Sequence, residues 1–134
     1  MAVLALDHVN IRTADVPGTA AFFRDVLGLR AAPAPGVKTI EAACWIYDPA
    51  DRPIIHIGPV RATYPSDGAH PFAAAHGGGA VHHVALECDD LAGMRERLAA
   101  GGHAYTLNDI PQIGLTQLFV AEANGILLEL NFRG

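Results

Sequence analysis

Two stretches of this chain decide its fold: LDHVNIRTADV at residues 6–16 and VHHVALECDDL at residues 81–91. Each sets a histidine in an aliphatic run and an aspartate seven residues later, His8 with Asp15 and His83 with Asp90. Both pairs are offset by 75 residues, and Phe23 falls on Leu98 at the same offset. Each half also ends in a strand pattern carrying a metal-capable side chain among apolar neighbours. These are His56 in PIIHIG (53–58) and Glu129 in GILLEL (125–130), offset by 73, a difference of two residues that loops absorb. Self-similarity at a long fixed offset is the mark of a duplicated structural unit.

Working outward, residues 3–12 alternate and are β-branched enough for a strand. Asp15 is the expected N-cap of the following helix, with Pro17 in its first turn. Ala20, Phe22, Phe23, Val26 and Leu27 supply a buried face, and Gly28 terminates the helix as a C′ glycine. AAPAPG (31–36) reads as a turn or irregular edge. Thr39–Asp48 and Pro53–Val60 read as strands. The stretch 61–79 is rich in Gly, Ala, Pro and His without a period, which predicts a linker or mobile loop. The second half repeats the order: a strand at Ala80–Glu87 and a helix at Asp90–Ala100 with Leu91, Met94 and Leu98 inward. A short strand at Tyr105–Asn108 follows, then a hairpin of Leu115–Ala121 and Ile126–Phe132 turning at Asn124-Gly125. The expectation is a single domain over residues 1–134, with module one at about 3–60, the linker at 61–79 and module two at about 80–134.

Composition narrows the function classes. With 134 residues, 51% apolar and 17% charged, the chain is long enough to bury a core. Net charge is −5 and Lys38 is the only lysine. Nucleic acid and anionic membranes are therefore poor partners, and no run approaches the roughly 20 apolar residues of a membrane span. The start MAVLALDH lacks a basic region and a signal-length apolar stretch, which predicts a cytoplasmic protein. Cys44 and Cys88 have no metal or redox spacing and read as reduced, packed thiols.

The chemistry rests on His8, His56, His83 and Glu129. A lone histidine in an apolar strand is most often a packed residue, and His82, beside His83, is expected on the opposite face. Glu129 carries more information, because a carboxylate inside LLEL needs a partner or a metal. Four such residues at equivalent points of a repeat predict a shared metal site. Three imidazoles and one carboxylate suit Zn, Fe(II), Mn, Ni or Co. Such an ion polarises oxygens or stabilises an enolate.

LDHVNIRTADVPGTAAFFRDVLGLR (6–30), VHHVALECDDL (81–91) and QLFVAEANGILLELNF (117–132) together resemble the vicinal oxygen chelate superfamily. That superfamily contains glyoxalase I, methylmalonyl-CoA epimerase, extradiol dioxygenases, fosfomycin-resistance enzymes and bleomycin-binding proteins. The resemblance covers nearly the whole chain. It implies an α+β fold of two repeated βαβββ modules forming a curved mixed or antiparallel sheet around a metal-binding cavity. It also implies one divalent metal per site, a small-molecule substrate and a homodimer. By resemblance, His8 and His83 match the first-strand ligands, Glu129 the last-strand glutamate of module two, and His56 the last-strand position of module one. Histidine at position 56 departs from the pattern, since glyoxalase I has Glu there and the epimerase Gln.

Other departures separate the members. The extradiol signature has Tyr ten residues before the final Glu, where this chain has Phe119, and the histidine expected within IPQIG (110–114) is absent. Lys38, Arg52 and Arg61 are too scattered for a phosphonate site. The leading expectation is thus a metal-dependent lyase or isomerase of the glyoxalase/epimerase type, in which Glu129 or His56 moves the proton of an enediolate or enolate. The alternatives are a divergent Fe(II) dioxygenase using His8, His83 and Glu129, or a metal-poor small-molecule binding protein. Trp45, Phe119, Gln112, Thr116 and Gln117 are candidate cavity lining. Tyr47 and Tyr105 are candidate proton donors, though tyrosine at sheet edges is common. His70 and His76 read as solvated, and GGGAV (77–81) as a hinge.

Overall fold

The computed structural model describes residues 2–73 and 75–134. Met1 and Ala74, the latter inside the expected linker, lie outside the described residues. The chain forms two compact units, residues 1–74 and 75–134.

In the first unit the order is β1 (Val9–Thr13), α1 (Val16–Ala21), β2 (Arg30–Pro33), β3 (Cys44–Tyr47) and β4 (Pro53–Pro59). In the second it is β5 (Val84–Cys88), α2 (Leu91–Ala100), β6 (Thr106–Ile110), β7 (Leu115–Ala121) and β8 (Leu127–Arg133). The sheets are ordered β1-β4-β3-β2 and β5-β8-β7-β6. Each pairs its first strand parallel to its last and the remaining strands antiparallel. This is βαβββ twice, an α+β architecture with mixed sheets, as the resemblance implied.

The register makes the duplication quantitative. Asn10 pairs with His56, and Ala85 with Glu129. Asn10 and Ala85 are 75 residues apart, while His56 and Glu129 are 73 apart, so the two last-strand residues are equivalent despite the loop difference. Both helices are capped alike: Asp15 accepts from Gly18 N and Asp90 from Gly93 N, each at 3.0 Å. A Cβ on Gly18 or Gly93 would run into the capping carboxylate. Asp-x-x-Gly is therefore a repeated sequence signal that the pattern reading passed over.

Several boundaries differ from expectation. β1 starts at Val9 rather than Val3, and Val3, Leu4 and Leu6 are exposed. Its ladder with β4 begins at the Val9–Ile55 pair, although β4 itself runs from Pro53. β5 likewise starts at Val84 rather than Ala80, because β8 emerges from the Asn124-Gly125 turn only at Leu127. The expected strand at Thr39–Asp48 shrinks to Cys44–Tyr47, with backbone turns at Ala34–Val37 and Thr39–Ala42 before it. The irregular edge at AAPAPG instead contributes β2, which ends where Pro33 cannot donate.

The first helix widens to π geometry over Phe22–Val26 before Gly28, at φ +77°, ends it. Phe22 and Phe23 are adjacent yet both buried. A wider turn lets two neighbouring side chains share the inner face. Ala20, Phe23 and Val26 lie in the core with Ile11, Ile46, Ile55 and Ile57. In the second unit Met94 and Leu98 are buried, as are Leu118, Val120, Leu128 and Leu130. Leu27 and Leu91 are only half-buried.

Residues 59–72 form a strap rather than a free linker. The Arg12 guanidinium donates to the carbonyls of Pro59 and Val60 at 3.1 Å and to that of Ala62, and lies 4.3 Å over the Tyr64 ring. Asn10 donates to the Tyr64 hydroxyl at 3.2 Å. Among the described residues no helix is long and apolar enough to cross a membrane. Cys44 and Cys88 are free thiols.

Candidate metal centre

Alternation along each sheet separates an apolar face from a polar one. In the first unit Ile55, Ile57, Cys44 and Ile46 face the core, so their neighbours His56 and Trp45 face the other way. In the second, Leu128, Leu130 and Leu118 are buried, which turns Glu129, Asn131 and Gln117 onto the opposite face. Each candidate residue thus lies on its sheet's polar face, or immediately before its first strand.

The first unit brings His8 and His56 together. His8 directly precedes β1, and its ring stacks on that of His56 with centroids 3.7 Å apart. Trp45 stacks on the other side of His56 at 4.1 Å. His8 Nδ1 lies 2.6 Å from an Asp7 carboxylate oxygen. An ionised carboxylate only accepts, so Nδ1 carries a proton, and in the neutral ring the lone pair then falls on Nε2. This is the outer partner that a ligating histidine commonly has. His56 Nε2 is buried and has no hydrogen-bond partner. Burial first, then the nearby His8 charge, holds the His56 imidazole below its usual range and favours the neutral ring.

The second unit brings His83 and Glu129 together. His83 directly precedes β5, as His8 precedes β1, and its Nε2 lies 3.7 Å from Glu129 Oε1. His83 Nδ1 is 2.8 Å from His82 Nδ1. His82 was expected to face away. In the structure, residue 83 precedes the strand, alternation does not yet apply, and the two rings meet edge to face at 5.1 Å. His82 thereby occupies the place that Asp7 takes beside His8. Asn131 donates to the other oxygen of Glu129, Oε2, at 3.0 Å.

The donor set fits a divalent metal in type. Two ligands at about 2.1 Å from one ion lie roughly 3 to 3.5 Å apart. The 3.7 Å between His83 Nε2 and Glu129 Oε1 is close to that. The His8–His56 stack differs, because lone pairs in two parallel ring planes do not converge, and one ring must turn for both to reach a single ion. Among the described residues no group of three or more His, Cys, Asp or Glu side chains is gathered to hold a metal ion. The structure thus assembles two pairs of candidate ligands.

The remaining candidates have ordinary roles. Tyr47 carries the Arg30 guanidinium 4.0 Å over its ring, and the Tyr105 hydroxyl accepts from Arg95 at 3.0 Å. Thr116 donates to Asp109 at 2.7 Å. His70 and His76 are exposed, and the His76 ring lies against the Gly125 turn. Glu122, which sequence reasoning overlooked, is buried and accepts from the backbone N–H groups of Asn124 and Ile126. It holds the β7–β8 turn.

A family model described as the Glyoxalase/Bleomycin resistance protein/Dioxygenase superfamily matches residues 7–118. The chain belongs to this superfamily. None of the curated proteins matches the sequence. Solved structures resemble the fold along almost the full length. An integron cassette protein from the mobile metagenome of V. cholerae superposes with TM-score 0.72 at 16% identity, covering 100% of this chain and 98% of that one. Lactoylglutathione lyase from Agrobacterium tumefaciens gives 0.66 at 18% identity, covering 98% and 96%. A glyoxylase/bleomycin resistance protein/dioxygenase domain from Frankia sp. EAN1pec gives 0.67 at 18%, covering 99% and 94%. At such identities the likeness concerns the fold.

Proposed function

We propose that this superfamily member is a divalent-metal enzyme of the glyoxalase/epimerase type, with His8, His56, His83 and Glu129 as the metal-binding residues. The observation that carries the reading is the repeated pairing of a pre-strand histidine with an equivalent last-strand donor, His8 with His56 and His83 with Glu129. A pair supplies only two ligands, fewer than the three or four of ordinary zinc sites. When bound, a Zn, Ni, Fe(II), Mn or Co ion supplies Lewis-acid charge against two vicinal oxygens of a small substrate.

The chain's own residues handle the proton. The substrate class is a carbon acid that ionises to an enediolate or enolate. Glu129 Oε1, the oxygen not held by Asn131, is the first candidate to accept and return that proton. His56 is the second: its ring is favoured in the neutral form and Nε2 is an unpartnered acceptor. The clamping of His56 between Trp45 and His8 favours a further reading, in which His56 serves only as acid/base and His8, His83 and Glu129 ligate. That is the ligand set of a non-haem Fe(II) dioxygenase. The single domain, the cytoplasmic location and the homodimer belong to the same proposal.

Metal content of protein purified without chelator tests it, alongside His83→Ala and Glu129→Ala. About one ion per chain in the wild type, lost in both variants while the fold is kept, is the expected result. Fe with substrate-dependent oxygen uptake selects the dioxygenase. Zn, Ni or Co with proton exchange at the substrate carbon selects the isomerase type. A wild type that stays metal-free after loading sinks both readings and leaves a small-molecule binding protein.

A further inference from the structure

Three side-chain amides cross the second sheet in a line that ends at Glu129. Asn108 on β6 donates through Nδ2 to Gln117 Oε1 on β7 at 2.9 Å. Gln117 donates through Nε2 to Asn131 Oδ1 on β8 at 3.3 Å. Asn131 donates through Nδ2 to Glu129 Oε2 at 3.0 Å. The strand register makes this possible, because Asn108 pairs with Gln117 and Gln117 with Asn131. All three amides therefore sit side by side on the polar face.

One group sets the direction of the whole line. An ionised carboxylate has no proton to donate, so Asn131 must present its NH2 to Glu129. Its oxygen is then left facing Gln117, which must present NH2 in turn and leave its own oxygen to Asn108. Every amide dipole consequently points its positive end toward Glu129. Hydrogen bonds aligned in this way polarise one another.

We propose that Asn108, Gln117 and Asn131 are positioning residues, a directed amide chain that fixes the Glu129 carboxylate by Oε2 and leaves Oε1 turned to His83. This rests on the reading of Glu129 as a ligand. None of the three need touch substrate. Their effect passes through Glu129, as that of hydrogen-bonded partners on ligating groups generally does, where loss of such a partner costs 10- to 100-fold in metal affinity.

The test uses the full chain and the near-isosteric variants Gln117→Met and Asn131→Leu, with Zn2+ affinity measured by chelator competition. Asn131→Leu is expected to weaken Zn2+ binding by roughly 10- to 100-fold, and Gln117→Met by about tenfold, with an unchanged melting temperature in Gln117→Met. A wild type that binds Zn2+ as tightly as Gln117→Met does overturns the chain and leaves the metal reading standing. A second readout needs no metal: the side-chain amide NMR resonances of the apo protein. Glu129→Leu removes the acceptor that orients the line, so the Gln117 amide resonances are expected to move together with those of Asn131. If only Asn131 moves, the line is a set of separate contacts and the proposal fails. A wild type that binds no Zn2+ removes the metal reading, and the amide resonances then decide the chain alone.

Discussion

Single residues in this protein are understood by what lies on the far side of their strand. Glu129 stands in an apolar sequence, LLEL, because Leu128 and Leu130 are in the core while it faces the other way. Cys44 and Cys88 show the converse. Burial pushes both thiols up, Cys88 to about 11 from an ordinary value of 9.0, with Asp89 adding to the effect. A raised acid keeps its proton in the fold. The stability Cys88 contributes is therefore complete below about pH 9 and is lost as pH rises toward about 11. At pH 8 both thiols are expected to react with a disulfide reagent far more slowly in the native protein than in urea. Equal rates would show that these thiols are not held in the protonated form. The four metal candidates were legible as residue types at repeated spacing. The role of His82 was not, since its contact with His83 depends on where β5 begins.

At the scale of elements, the two helix starts are the most informative comparison. Asp15 and Asp90 both cap, but Asp90 does so from a left-handed backbone, φ 57°. An N-cap aspartate replaced by alanine costs about 1 kcal/mol. Glycine relieves the left-handed strain that alanine retains. Asp90→Gly is thus expected to be less destabilising than Asp90→Ala in urea denaturation, and the reverse order would refute the cap geometry. Helix existence, the Asp15 cap and the Gly28 stop were legible because they depend on neighbours within a few residues, whereas Asp90 proves to be a cap and not the first helical residue. Strand ends at β1, β3 and β5 were not legible because they depend on pairing with segments far away in the chain. The π-helical turn was also hidden, since two adjacent phenylalanines do not reveal that both will be buried.

For the whole molecule, the duplicated βαβββ order explains why a chain of low identity to its structural relatives, 16% and 18%, still superposes along almost its full length. What persists is the alternation and the register. The homodimer proposed with the function predicts sedimentation at twice the 14.1 kDa of one chain. A monomer at micromolar concentration would remove that part of the proposal. With a net charge of −5 the protein is expected to show no salt-dependent retention on DNA, checked by a gel shift at low ionic strength.

By itself the sequence determined the repeat, the two helices, the Asp15 cap and the four residues to suspect. These follow from short-range periodicity and from an offset that anyone can count. Only the tertiary structure decided which atoms meet: the Trp45–His56–His8 stack, the partners Asp7 and His82, the Arg12 strap, and the amide line from Asn108 to Glu129. The reason is physical. Side-chain hydrogen bonds and ring contacts between strands depend on register, and register is set by the pairing of segments far apart in the chain, which local periodicity does not encode.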